Sequence, residues 1–248
     1  MAAALREPAA LRKGVVQTRF NELTHLVRET VQVALGIVAV MSCDTPAGET
    51  ALEKLADLTP VIVADNGHIA VGISSNSFIL VSSHDNEWRP VTAPAARFRS
   101  VCYGAGKFVA VGNAGSVATS ANGIDWTRVP SPTPCSLHAI AFGNKKFIAV
   151  GNEGAIVRSS DGVHWKSTDV TETRLRGIAF GAGTFVAVGH EGLVLSSRDG
   201  WNWTGRQLRP RARLARVEYR DRVFIAYTES GALSSSRDGA DWELAAAP

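Results

Sequence analysis

Apolar residues over the last three-quarters of the chain fall into runs of about four to six, separated by glycine-centred turns. The pattern is cleanest in one stretch. LRGIAF (175–180) ends on Gly181-Ala182-Gly183; FVAVG (185–189) follows, then His190-Glu191-Gly192, then LVLSS (193–197), then Asp199-Gly200 and a run that begins at Asn202. Short runs rich in β-branched and aromatic residues, bounded by turn formers, predict strands. Asp-Gly and similar pairs predict hairpins, because glycine takes positive φ without a Cβ clash. The stretch therefore predicts four strands in series, the fourth starting over 202–204.

The same pattern returns along the chain. Trp88, Trp126, Trp165, Trp203 and Trp242 are spaced by 38, 39, 38 and 39 residues. Phe108, Phe147, Phe185 and Phe224 form a second column, with His68 at the matching place of the first copy. Gly72, Gly112, Gly151 and Gly189 form a third, where the last copy has Thr228. Three columns in register define five tandem copies, near 58–97, 98–136, 137–174, 175–213 and 214–248. Four strands in about 40 residues, repeated in tandem, describe a propeller blade. A parallel β-helix uses shorter repeats, and helical repeats lack runs of period two. The expected fold class is all-β: a β-propeller of five four-stranded blades (58–248) with a short N-terminal helical segment.

The turn before each tryptophan carries a resemblance. Ser159-Ser160-Asp161-Gly162-Val163-His164-Trp165 is similar to the Asp-box (BNR) signature of sialidase-like propellers, one residue shorter than its usual form. Ser197 to Trp203 and Ser236 to Trp242 repeat it; copy two has Asn122 for the aspartate, and copy one has His84 and Asp85. The element Val150-Gly151, Gly154, Ile156 also resembles the photosystem II assembly-factor propellers and their bacterial relatives. The resemblance covers about three-quarters of the chain and implies the fold more than the function, since such turns occur in enzymes and non-enzymes alike.

A serine and an aspartate two residues apart can cap the backbone N–H groups of their own hairpin, while the tryptophan wedges into the blade and offers its indole N–H to a carbonyl. Asp161, Trp165, Asp199, Trp203, Asp238 and Trp242 are expected to act in this way. A catalytic acid is needed once, and these recur. The composition then reads simply: most of the 23 glycines and five of the 6 tryptophans are the turns and wedges of the copies, with Trp201 outside the series. With 45% hydrophobic and 20% charged residues the chain is neither disordered nor a multi-span membrane protein.

The net charge of +3 is too mild to imply nucleic-acid binding. It hides an uneven distribution, with seven arginines in the 17 residues from Arg206 to Arg222. Just before the first apolar residue of each innermost strand stand Arg97, Ser136, Arg174 and Arg213; just after it stand Arg99, His138, Arg176 and Ala215, with Arg216 one further on. In a propeller this is where the chain enters the innermost strand, so Arg97, Arg99, His138, Arg174, Arg176, Arg213 and Arg216 are expected to converge on one rim. Guanidinium groups there would attract carboxylates, sulfated glycans or an acidic protein surface. The other reading is a solvated loop whose arginines pair partly with Glu172, Glu218 and Asp221.

Ser-centred elbows, P-loops and H-E-x-x-H are absent, and the six histidines lack ligand spacing, so no metal or cofactor is expected. His190 matches Asn113 and Asn152 and reads as a turn residue. The Arg-Ile-Pro-type motif of sialidases is missing, and Glu218 and Tyr219, adjacent in a strand, point to opposite faces. The expected function is a non-catalytic binding or assembly-scaffold module for a protein or acidic glycan, with no specific nucleic-acid partner. The alternative is a carbohydrate-active enzyme acting on an acidic sugar. Five short blades also leave open a part-ring that oligomerises.

Residues 1–57 fall outside the repeat. Phe20, Leu23, Leu26, Val27, Val31, Ala34, Leu35 and Val38 recur at helical spacing, and 33–41 is an unbroken apolar run too short to span a bilayer. Val40-Met41-Ser42-Cys43 resembles a lipobox, which implies a cleaved lipoprotein signal over 1–43, a lipid on Cys43, a linker over 44–57 and an exported, periplasmic or membrane-anchored protein. The other reading is an amphipathic helix packed on a cytoplasmic propeller, with Cys43 an ordinary thiol. Cys102 lies in a column of alanines and Cys135 in the linker between blades; an oxidising compartment would permit a disulfide between them.

Overall fold

The computed structural model describes residues 62–244, apart from 68, 75–76, 83–87 and 169. The N-terminal segment, Cys43, the linker over 44–57, and His84 and Asp85 lie outside the described residues.

Twenty strands form five four-stranded antiparallel sheets, each built from consecutive strands. The first holds β1 (Ile62–Asp65), β2 (Ala70–Ile73), β3 (Ile79–Ser82) and β4 (Trp88–Pro90). The second holds β5 (Phe98–Gly104), β6 (Lys107–Gly112), β7 (Val117–Ser120) and β8 (Thr127–Val129). The third holds β9 (Leu137–Gly143), β10 (Lys146–Gly151), β11 (Ile156–Ser159) and β12 (Lys166–Thr168). The fourth holds β13 (Leu175–Gly181), β14 (Thr184–Gly189), β15 (Leu193–Ser197) and β16 (Thr204–Gln207). The fifth holds β17 (Leu214–Arg220), β18 (Val223–Thr228), β19 (Gly231–Ser236) and β20 (Glu243–Leu244).

The cores lie between the sheets, which explains why the second strands read as unbroken apolar runs. In β6, Phe108 and Ala110 pack toward the first sheet, while Val109 and Val111 pack toward the third. All four are fully buried. Full burial of such a side chain contributes about 1.5–3 kcal/mol. An aromatic from the first strand leans on each phenylalanine: Tyr103 on Phe108, Phe142 on Phe147, Phe180 on Phe185 and Tyr219 on Phe224, with centroids 4.6–4.8 Å apart. The rings of Phe142, Phe180 and Tyr219 lie over Gly104, Gly143 and Gly181 of the preceding sheet, where a Cβ would sit 2.0–2.1 Å from ring carbon.

Described cores join sheets one to two, two to three, three to four and four to five. The fifth sheet differs on its outer face. Phe224 and Ala226 of β18 are buried against the fourth sheet, but Val223, Ile225 and Tyr227 between them are only half-buried. Glu218 stands there where the other sheets have Cys102, Ala141 and Ala179.

Two sequence expectations change. Cys102 and Cys135 are free thiols rather than a disulfide. Cys102 sits mid-strand in the seam between sheets two and three, where burial pushes its thiol far above the usual range. Cys135 lies in the linker at the strand end, where its Sγ donates to Glu153 Oε2 at 3.3 Å. The fourth strand of copy four starts at Thr204 rather than Asn202, because Asn202 is held in the turn by Asp199.

Candidate functional site

Antiparallel order puts two kinds of loop at opposite ends of each sheet. One end carries the turn between the third and fourth strands. There Ser159 Oγ donates to Asp161 Oδ1 at 2.9 Å and accepts from Gly162 N–H at 2.8 Å. Asp161 Oδ1 also accepts from the N–H groups of Val163 and His164, both at 2.8 Å. Asp199 and Asp238 make the same pairs of backbone bonds, to Trp201 and Asn202 and to Ala240 and Asp241. The bond from His164 holds the Asp161 carboxyl well below the usual carboxylate range, and backbone N–H groups do the same for Asp199 and Asp238. Trp165 donates its indole N–H to Gly162 O at 3.0 Å, and Trp126 and Trp242 bond likewise to Gly123 and Gly239. Trp203 is the exception, its buried Nε1 having no partner. Gly162, at φ +75°, lies against Val109 of the preceding sheet, and a Cβ there would meet Val109 Cγ2 at 3.0 Å.

The other end carries the basic residues, and a β-bulge aims them. In the second to fifth sheets the pairing of the first strand with the second skips one residue just after the strand begins. The skipped residues are Arg99, His138, Arg176 and Ala215. A residue extruded in this way leaves the ladder and its side chain is re-aimed. Facing it is a one-turn 3-10 segment at the end of the second strand: Asn113–Gly115, Asn152–Gly154 or His190–Gly192. The chain entering the sheet ties to that segment, since Arg97 O, Ser136 O and Arg174 O accept from the N–H groups of Asn113, Asn152 and His190 at 2.9–3.0 Å. The approach requires glycine before the segment: a Cβ on Gly112, Gly151 or Gly189 would lie 2.1–2.2 Å from those same carbonyls.

Side chains at this end pair across the bulge in two sheets. Arg99 Nε donates to Asn113 Oδ1 at 2.5 Å, and His138 Nε2 bonds Asn152 Oδ1 at 2.6 Å. In the fourth sheet the corresponding residues are Arg176 and His190, both cationic types, and His190 Nε2 is buried without a partner. The His138 imidazole titrates below its ordinary value, chiefly through burial; the Asn152 bond opposes this, and the charges of Arg99, Arg176 and Arg174 add to it. His190 is lowered first by burial, then by Arg176, Arg213 and Arg174, with Glu191 opposing weakly.

The structure thus brings Arg99, His138, Arg174, Arg176 and Arg213 into one electrostatic neighbourhood and adds His190, which sequence reading assigned to turn chemistry alone. Among the described residues, none of these four arginines forms an ion pair. Arg97 is exposed beside them and anchors the entering chain through its carbonyl. Arg216 does not join the group. Ala215 occupies its bulge, so Arg216 stays in the ladder, where it pairs with Glu218 and lies 4.1 Å from the Tyr227 ring centroid. Of the carboxylates nearby in sequence, Glu218 is therefore taken by Arg216 and Asp221 by Arg220 at 3.3 Å.

No family model and no curated protein matches the chain. Solved structures do. YCF48 bound to D1 peptide matches with a TM-score of 0.58 and 19% identity over 75% of this chain and 68% of that one. YCF48 from Cyanidioschyzon merolae matches with a TM-score of 0.55 and 14% identity, over 75% and 71%. The fold is that of a β-propeller. The computationally designed protein Ika8 shares it as well, with a TM-score of 0.54 and 10% identity over 73% of this chain and 56% of that one. The first strands of the five sheets, β1, β5, β9, β13 and β17, pack in series. Arg99, His138 and Arg176 stand at the start of these first strands.

Two shallow polar depressions are found elsewhere. One, lined by Thr119, Asn122 and Asp125 among others, and a second, lined by Ser197, Asp199 and Asp238 among others, lie at the Ser–Asp turns. No group of His, Cys, Asp and Glu among the described residues is arranged to hold a metal ion. No helix among them is long and apolar enough to cross a membrane.

Proposed function

We propose that the protein is a non-catalytic propeller that binds an acidic protein segment, or an acidic glycan, at the rim formed by Arg99, His138, Arg174, Arg176, His190 and Arg213. One observation carries this reading: Arg99, His138 and Arg176 stand at aligned, bulge-aimed positions of three successive sheets, with Arg174 and Arg213 beside them, and among the described residues none of these arginines forms an ion pair. A solvated loop that was merely arginine-rich would pair its charges as Arg216 and Arg220 do. Free guanidinium groups on a rigid rim offer planar, charge-assisted bonds to carboxylates and steer an anionic partner electrostatically. YCF48, whose structure was solved with a peptide, shares the fold, and peptide capture by a blade rim is compatible with it.

The test is capture from native extract with the intact protein and with the Arg99→Ala, Arg174→Ala, Arg176→Ala, Arg213→Ala variant as baits. A partner retained by the first and lost by the second supports the reading; equal retention removes it. Incubation with sialosides and acidic glycans is expected to release no sugar, and turnover would favour the carbohydrate-active alternative. The export reading rests on Val40-Met41-Ser42-Cys43. Mass spectrometry of the mature protein is expected to show a lipidated Cys43 at the N-terminus; retained residues 1–42 would remove it.

A further inference from the structure

The rim holds two imidazoles among arginines, and one has its proton placed by a neighbour. His138 bonds Asn152 Oδ1 through Nε2 at 2.6 Å. An amide oxygen can only accept, so Nε2 carries hydrogen and Nδ1 is the nitrogen left to titrate. The groups facing the ring are Arg99 from β5, Arg174 from the linker into β13 and Arg176 from the bulge of β13. The nearest acid in the adjoining 3-10 segment, Glu153, is turned to the Cys135 thiol. His138 thus stands midway along the row of arginines with no acid to offset a second charge on its ring.

We propose that His138 is a proton-operated control on this rim: taking a proton at Nδ1 strengthens the hold on an anionic partner. This rests on the rim being the partner-binding surface. Without a partner, burial and three guanidinium groups together outweigh the Asn152 bond, which favours the charged ring, so the imidazole titrates below its ordinary value. A bound carboxylate offsets that repulsion, and protonated His138 then gives it a further N–H donor from Nδ1. By linkage, a partner that favours the charged ring binds more tightly as pH falls, and its binding raises the pH at which the ring titrates. His190 does not serve in the same way. Its Nε2 is buried and unpartnered, and Arg174, Arg176 and Arg213 all oppose its protonation.

The experiment measures polarisation of a rhodamine-labelled hexa-aspartate peptide at low salt, at about pH 7.5 and about pH 5.5, where aspartate stays ionised. Wild-type protein is expected to bind about three- to fivefold more tightly at the lower pH, the gain that a rise of about one unit in the His138 titration on binding gives over this interval. Whatever its affinity at the higher pH, His138→Gln is expected to lose most of the gain between the two pH values, while His190→Gln keeps it. NMR of the His138 ring, with and without peptide, reads the same shift without a mutation. Equal pH dependence in wild type and His138→Gln overturns the inference and leaves the rim reading intact. No binding of the peptide by wild type at either pH overturns both.

Discussion

The two ends of each blade are built from the same repeat and treated oppositely. At the Ser–Asp turns, Oδ1 of Asp161, Asp199 and Asp238 is directed at its own hairpin, and the same bonds recur in successive sheets. At the bulge end the backbone scheme recurs just as closely, but the side chains mounted on it differ: Arg99, His138, Arg176, Ala215. A chemistry needed in every blade is holding the fold. Chemistry that varies on a constant backbone, and leaves charges unpaired, is what the proposed binding rim draws on. The bulge separates the two roles, because it takes one residue per blade out of the ladder and frees its identity.

The largest expected effects lie between the ends, where the seams are. Phe185→Ala should destabilise the protein by about 3–5 kcal/mol and lower Tm by roughly 10 °C, measured by calorimetry. If it costs under about 1 kcal/mol, the seams do not hold the blades together. Gly151→Ala is next, at about 2–3 kcal/mol, because its Cβ would lie 2.1 Å from Ser136 O, a backbone atom that cannot swing aside. Should that variant melt with wild type, the tie between the entering chain and the 3-10 segment is dispensable.

Smaller effects belong to the turns. Asp199→Ala removes two backbone bonds from a partly exposed carboxylate and should cost about 1 kcal/mol without changing binding at the rim. The pH dependence has a fixed sign. The carboxyls of Asp161, Asp199 and Asp238 titrate below their unfolded values, so their contribution is fully present above about pH 4 and is lost as pH falls through the lower, folded values. Urea midpoints taken downward from about pH 5 should therefore fall more steeply in wild type than in Asp199→Ala. Parallel curves would mean that the turn aspartates do not stabilise the fold.

The sequence carried the frame of this comparison. Tryptophan and phenylalanine spacings predict five four-stranded sheets, because each blade needs the same wedge and the same ring in the same seam. The second strands β6, β10 and β14 were legible as short apolar runs for the same reason. What could not be read was a displacement of one residue. Arg216 stands one residue past the column of Arg99, His138 and Arg176 that Ala215 completes; the bulge falls on Ala215, and that one residue turns Arg216 to the other face. His190 was equally opaque. Its alignment with Asn113 and Asn152 signals a turn, while its closeness to Arg176 and Arg213 arises from the packing of two blades, which no local pattern encodes.

The central claim is that one end of the blades holds the fold and the other binds. It is tested most directly by taking Asp199→Ala and the four-arginine variant (Arg99, Arg174, Arg176 and Arg213 to Ala) through the same two measurements, Tm and affinity for an acidic peptide. The account predicts a crossing: the arginine variant melts within about 2 °C of wild type and loses at least about tenfold in affinity, while Asp199→Ala melts lower and binds normally. An arginine variant that binds like wild type, or that melts as low as Asp199→Ala, would contradict it.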